Sequence, residues 1–185
     1  MAGGGRLLWQ LSLEDGTDQF TYDLKDPVPS LHGRGLQVRP TDQRPLAERR
    51  DTLVYQTEPL TERFEVTGNA TVELHASSSA PDTDFFARLI DVAPDGTARD
   101  VAAGMVRAGY RNGLDQPVLL PSGKPSGTRS GWPRRPMHSC RDGMIELRLW
   151  HSAAEEDPAT VVPAYGITVS RFKFAGLWPN GVTNS

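Results

Sequence analysis

A chain of 185 residues with 18 Gly, 15 Pro and 37% hydrophobic residues has room for one turn-rich domain and little besides. Its net charge of -3 supplies no general attraction to nucleic acid or an anionic membrane, and its one cysteine, Cys140, excludes an intrachain disulfide framework. No stretch approaches the ~18 apolar residues of a membrane span. Residues 1–10 hold one basic residue and no apolar run, so no secretory signal is expected and a cytoplasmic location is.

Residues 1–5 read as flexible by composition, 6–13 as a short imperfect strand and 20–23 as another extended piece. Residues 25–45 hold four prolines and no sustained period, which predicts an ordered crossing loop. Residues 1–50 are therefore expected as an extended segment and crossing loop, with the main domain over 51–185. Helix formers gather only over 46–50, too short a run for an independent helix. Strands are expected over 52–56 and 61–66, with Asn69 after Gly68 in a hairpin. Thr71, Val72, Glu73, Leu74, His75 and Ala76 then alternate polar and apolar, the period of a half-buried strand. After the break at Pro81 and Asp82, a strand over 85–92 leads into the turn signal Pro94-Asp95-Gly96 and a further strand over 105–110.

The chain changes character at Pro121. Residues 121–141 hold four prolines, three glycines, five basic residues and no acid. Nothing alternates there, which predicts an irregular basic loop over 121–142. Without interleaved aromatics, that run is not read as a nucleic-acid arm. Ile145, Glu146, Leu147, Arg148, Leu149 and Trp150 alternate cleanly, and 165–174 alternates in part.

Several stretches carry a resemblance in their order and spacing. They are Tyr22-Asp23 with Asp26-Pro27-Val28-Pro29, Asp42-Gln43-Arg44, and Leu53-Val54-Tyr55 before Glu58-Pro59-Leu60. Val66-Thr67-Gly68 follows, then Ala76-Ser77-Ser78-Ser79-Ala80-Pro81-Asp82-Thr83-Asp84-Phe85 and the run from Ala87 to Gly96. Together they resemble the C-terminal non-catalytic domain of the X-Pro dipeptidyl-peptidase and cocaine-esterase hydrolase family. The resemblance covers about half of the chain. It implies an all-β, galactose-binding-like jelly-roll β-sandwich, incomplete or irregular after residue 120. In that family the sandwich follows an α/β-hydrolase domain that carries the catalytic residues.

The residues themselves offer no catalytic set. Serine hydrolysis needs a nucleophile on a strained elbow, typically Gly-x-Ser-x-Gly, with His and an acid around it. No such motif occurs, and His32, His75, His138 and His151 are scattered. Asp82, Asp84, Asp91 and Asp95 invite a calcium reading, but their spacing is no EF-hand. Asp82 and Asp84 are expected to bond backbone amides in the turn after Pro81. Cys140 has only His138 at metal-ligand spacing, so no metal or cofactor is expected. Trp9, Trp132, Trp150 and Trp178 are read as core or interface residues before sugar platforms.

The expected function is that of a non-catalytic accessory domain of a serine hydrolase acting on acyl esters or Xaa-Pro peptides, inactive by itself. Its expected partner is the parent's α/β-hydrolase domain, in cis or from a neighbouring gene, with no nucleic acid or membrane partner. Ser77, Ser78, Pro81, Asp82 and Asp84 are the candidate interface residues, because a small-residue run before a rigid Pro-Asp turn suits close approach of two backbones. The alternative is a free-standing carbohydrate- or ligand-binding sandwich, which rests on fold analogy alone.

A basic Gly/Pro tract in place of a strand is also what a GC-rich coding strand yields when read out of frame. One synonymous spelling of residues 126–142, read two nucleotides on, gives Gly-Tyr-Pro-Phe-Gly-Leu-Ala-Ala-Ala-Ala-His-Ala-Phe-Leu-Pro-Gly, which alternates at Tyr, Phe and Leu. On that expectation the tract is unpaired. Sequencing the coding DNA checks the cause: codons that yield this peptide in neither alternative frame exclude a slip.

Overall fold

Ten strands organise the described residues. The computed structural model describes residues 3–8, 17–23, 25–31, 41–62, 64–121, 124, 126–131, 135–140, 143–152 and 165–177. The strands are β1 (Gly3–Arg6), β2 (Asp18–Tyr22), β3 (Leu53–Gln56), β4 (Phe64–Ser78), β5 (Asp84–Val92), β6 (Ala98–Arg107), β7 (Ser126–Gly131), β8 (Arg135–Cys140), β9 (Met144–Ser152) and β10 (Tyr165–Leu177). One sheet runs β1-β3-β9-β5-β6 and the other β2-β10-β4-β7, with β8 also paired to β4. Among the described residues every strand pairing is antiparallel except that of β1 with β3.

Alternation decides what lies between the sheets. Leu53 and Tyr55, Phe85, Ala87 and Leu89, and Ile145, Leu147 and Leu149 are buried from the first sheet, and Phe20, Val72, Leu74 and Ala76 from the second. These residues form one core, so the chain is an all-β sandwich. Tyr55 crosses it, donating from its hydroxyl to Asp18 Oδ2 at 2.8 Å. Burial and the Asp18 carboxylate push that hydroxyl well above the ordinary tyrosine range. The turn Pro94-Asp95-Gly96 forms as its residues predict: Gly96 sits at φ 82° and Asp95 Oδ1 accepts from Thr97 N at 2.9 Å.

Several expectations need correction. Residues 3–5, expected to be flexible, belong to β1, whose backbone pairs with β3 in register from Gly3 opposite Leu53. The expected strand over 6–13 has only Arg6 in β1, and residues 9–16 lie outside those described. Gly68 and Asn69 are not in a hairpin; both lie within β4, where the pairing with β8 shifts register between Val66 and Gly68. The strand expected over 105–110 ends at Arg107, and Ala108–Tyr110 form a 3₁₀ turn.

The largest correction concerns 121–142. The tract expected to be an irregular loop carries β7, paired to β4 from Gly131 opposite Thr71 to Ser126 opposite Ala76, and β8, paired to the start of β4. A ladder needs only backbone donors and acceptors, which Gly, Ser, Thr and Arg all supply. Their failure to alternate therefore hid the strands without preventing them.

Residues 41–51 form a strap across the outer face of the first sheet. Asp42 bridges to Arg99, and Gln43 N donates to Ala98 O at 2.8 Å. A single helical turn, α1 (Arg44–Ala47), starts with Pro near its first position and buries Leu46. Gln43 is fully buried. Its Nε2 donates to Thr41 O at 3.1 Å and Asp100 Oδ2 at 3.2 Å, its Oε1 accepts from Arg88, and its backbone oxygen accepts from Arg148. Glu146 completes the layer by accepting from Arg148 and from Gln56 Nε2, the latter at 2.6 Å. Residues 32–40 of the expected crossing loop lie outside those described.

Gln43→Ala is expected to lower the unfolding free energy by about 2 kcal/mol, because it takes away the buried acceptor of Arg88 and a donor to Asp100 while leaving the backbone oxygen that Arg148 uses; urea melts measure this. The strap also carries an acid dependence. The Arg44 side chain, then its backbone N–H, hold Asp42 at about 2, below the ordinary 3.8. A lowered value means that the stabilisation is fully present above 3.8 and is lost as the pH falls through about 2. Asp42→Asn is expected to flatten the acid limb of the melting curve over that window.

Candidate interdomain docking site

β4 ends in Ser77 and Ser78, both buried, and Ser78 Oγ accepts from Ala80 N at 3.0 Å. That local bond turns the chain toward Pro81, whose ring is exposed and whose carbonyl accepts from Leu120 N at 2.7 Å. Asp82 is the hub of the loop. Its Oδ1 accepts from Thr83 N at 3.0 Å and Gly109 N at 2.7 Å, and its Oδ2 accepts from Arg107 Nε at 2.9 Å. Thr83 O accepts from Ala108 N at 2.8 Å. The 3₁₀ turn is thereby hung from the 77–84 loop.

Gly109 lies close against the loop: a Cβ there would stand 3.0 Å from Asp82 Oδ2, so the carboxylate would have to give by a few tenths of an ångström. Beyond it, Val118 N donates to Gly109 O at 2.7 Å, and Arg111 Nη1 donates to Ala108 O at 2.9 Å and to Val118 O. The segment 108–120 is thus closed on itself. It still presents apolar groups outward, with Leu114 85% and Leu119 61% exposed. Asp84 opens β5 half-buried. Its Oδ1 is buried and accepts no hydrogen bond among the described residues. Burial pushes its carboxyl up, Arg107 opposes that and Asp82 adds to it.

The structure therefore brings Ser77, Ser78, Pro81, Asp82 and Asp84 together at one end of the sandwich. Asp82 bonds backbone amides as expected, whereas Asp84 makes no such bond among the described residues. Asp91, near the far end of β5, is seven residues and roughly 23 Å from Asp84, and Asp95 lies in the turn beyond it, so neither is near enough to share a cation with Asp84. His75 is half-buried on the outer side of β4, opposite Gly127 in β7. Among the described residues no helix is long and apolar enough to cross a membrane. The residues overlooked in the sequence were Arg107, Gly109, Arg111 and the exposed leucines. Val118-Leu119-Leu120 was the available signal, three consecutive apolar residues outside any strand.

Two sheets with one apolar core between them make this an all-β sandwich domain. The pattern described as X-Pro dipeptidyl-peptidase C-terminal non-catalytic domain matches residues 3–155, and the chain belongs to that family. A cocaine esterase from Rhodococcus sp. (strain MB1 Bresler) is 47% identical over 126 residues, which is 66% of this chain and 22% of the esterase. An aminopeptidase from a marine sediment Thaumarchaeota archaeon superposes with a TM-score of 0.77 at 23% identity, over 90% of this chain and 34% of that one. An alpha-amino acid ester hydrolase superposes with a TM-score of 0.76 at 24% identity, over 91% of this chain and 33% of that one. The chain thus spans about a fifth to a third of the relatives it matches.

Gly109→Ala is expected to push the Asp82 carboxylate back and weaken its bond to the 109 amide, and Asp82→Ala to remove all three of its bonds. The cost is about 2 kcal/mol for Asp82→Ala and less for Gly109→Ala, with faster proteolysis inside 111–119 as the local readout.

Proposed function

We propose that this chain acts as the accessory β-sandwich of a serine hydrolase that cleaves acyl esters or Xaa-Pro peptides, and that it lies against the α/β-hydrolase domain of that enzyme. The observation that carries the reading is the 47% identity to a cocaine esterase of which this chain spans 22%. A domain so placed contributes buried interdomain area and shapes the surround of an active site whose nucleophile lies elsewhere. The end of the sandwich with Pro81, Asp84 and the outward Leu114 and Leu119 is the contact region we favour, since it combines a rigid turn with exposed apolar side chains. A cytoplasmic location belongs to the same proposal and is supported by the single cysteine.

The full chain is expected to show no turnover of a nitrophenyl ester or a Xaa-Pro nitroanilide above a denatured control. Put in place of the matching part of the cocaine esterase, it is expected to sustain ester hydrolysis. Glycan binding by the chain with no hydrolysis by that chimera would instead favour the ligand-module reading. Within an active chimera, Asp84→Ala is expected to shorten the half-life at elevated temperature about tenfold, near 1.4 kcal/mol of docking; an unchanged half-life removes Asp84 from the contact.

A further inference from the structure

The outer face of the first sheet is divided in two. On β5 and β9 the outward-facing positions include Phe86, Arg88 and Ile90, and Glu146, Arg148 and Trp150; Ile90 is buried in a second, smaller apolar cluster with Val92 and Ala98. Arg88, Arg148 and Glu146 are buried beneath Gln43 of the strap. One row further on, about 7 Å along the strands, the cover by the described residues ends. Trp150 stands opposite Phe86, and Phe86 opposite Met105. The Phe86 and Trp150 rings stack 5.4 Å apart and 8° from parallel, both half-buried, while Met105 is 56% exposed. The Arg88 guanidinium carbon lies 5.2 Å from the centre of the Trp150 ring.

A sheet face that meets water carries polar residues. This row carries a tryptophan, a phenylalanine and a methionine beside an arginine, the residue types that gather at the centre of protein interfaces. Its margin is polar and continuous with the loop end. Arg107, two residues beyond Met105 on β6, pairs with Asp84 in register and donates to Asp82 of the 77–84 loop.

We propose that the Trp150–Phe86–Met105 row seats the α/β-hydrolase part of the parent enzyme, receiving apolar or aromatic side chains from it with Arg107 and Asp84 as the polar margin. The inference rests on the accessory-domain reading and adds the face and its chemistry. The occupant follows from size and continuity. The chain spans only 22% of the cocaine esterase, so the remainder of such an enzyme is a body several times larger for the sandwich to lie against. The row also adjoins the loop end already assigned to that contact.

The test uses the chimera in which this chain replaces the matching part of the cocaine esterase, together with the full chain alone. Met105→Glu places a charge on an exposed position, and Trp150→Ala removes half of the stack. In the chimera each is expected to shorten the half-life of esterase activity at elevated temperature, about tenfold for Met105→Glu and more for Trp150→Ala. The melting temperature of the chain alone should hardly move with Met105→Glu. Equal half-lives for the Met105→Glu and unaltered chimeras overturn the assignment. So does a dimer of the chain alone that Met105→Glu dissolves, which gives the row to a second copy. An unaltered chimera without esterase turnover overturns the accessory-domain reading and this inference with it.

Discussion

Two guanidinium groups stand directly opposite each other on β5 and β9, Arg88 and Arg148, and both are buried. Like charges so placed repel, and desolvation already disfavours each. Burial, with Arg148 adding to it, pulls Arg88 below the usual arginine value. The layer holds because Glu146 neutralises Arg148, Asp100 stands 3.5 Å from Arg88, and Gln43 offers both of its oxygens. The strap is therefore the missing half of a charged layer as well as a connection. Its position fixes which part of the sheet is covered and which part keeps Phe86 and Trp150 half in solvent.

The core was legible because alternation is strict where one face is dry. Val72, Leu74 and Ala76 on β4 and Ile145, Leu147 and Leu149 on β9 all fall where a period of two places them. The same pattern concealed the outer layer. Arg88, Glu146 and Arg148 look like solvated residues in a half-buried strand, and only a long-range contact from Gln43, 45 and 105 residues away from the two arginines, shows that they are covered. Local sequence carries no trace of a lid that arrives from elsewhere in the chain.

The candidate site divides in the same way. The Pro-Asp turn predicted the role of Asp82 toward nearby amides, since Asp bonding two residues or fewer along the chain is a local property. Its bonds to Gly109 and Arg107 span 27 and 25 residues and follow from tertiary structure. β7 and β8 stayed hidden for a different reason. Their ladder with β4 is made by the backbone, and a Gly-Ser-Arg composition gives no periodic signal to read.

β4 has a further consequence for how the molecule comes into being. Its partners β7, β8 and β10 all lie later in the chain, with Leu177 opposite Thr67 and Ile167 opposite Ser78. A ribosome adding ~5–20 residues per second exposes β4 for several seconds before those strands emerge. During that interval a 15-residue strand has both hydrogen-bonding edges open. Any other chain of the same sequence caught in that interval offers a matching edge, so intermolecular pairing competes with completion of each sandwich.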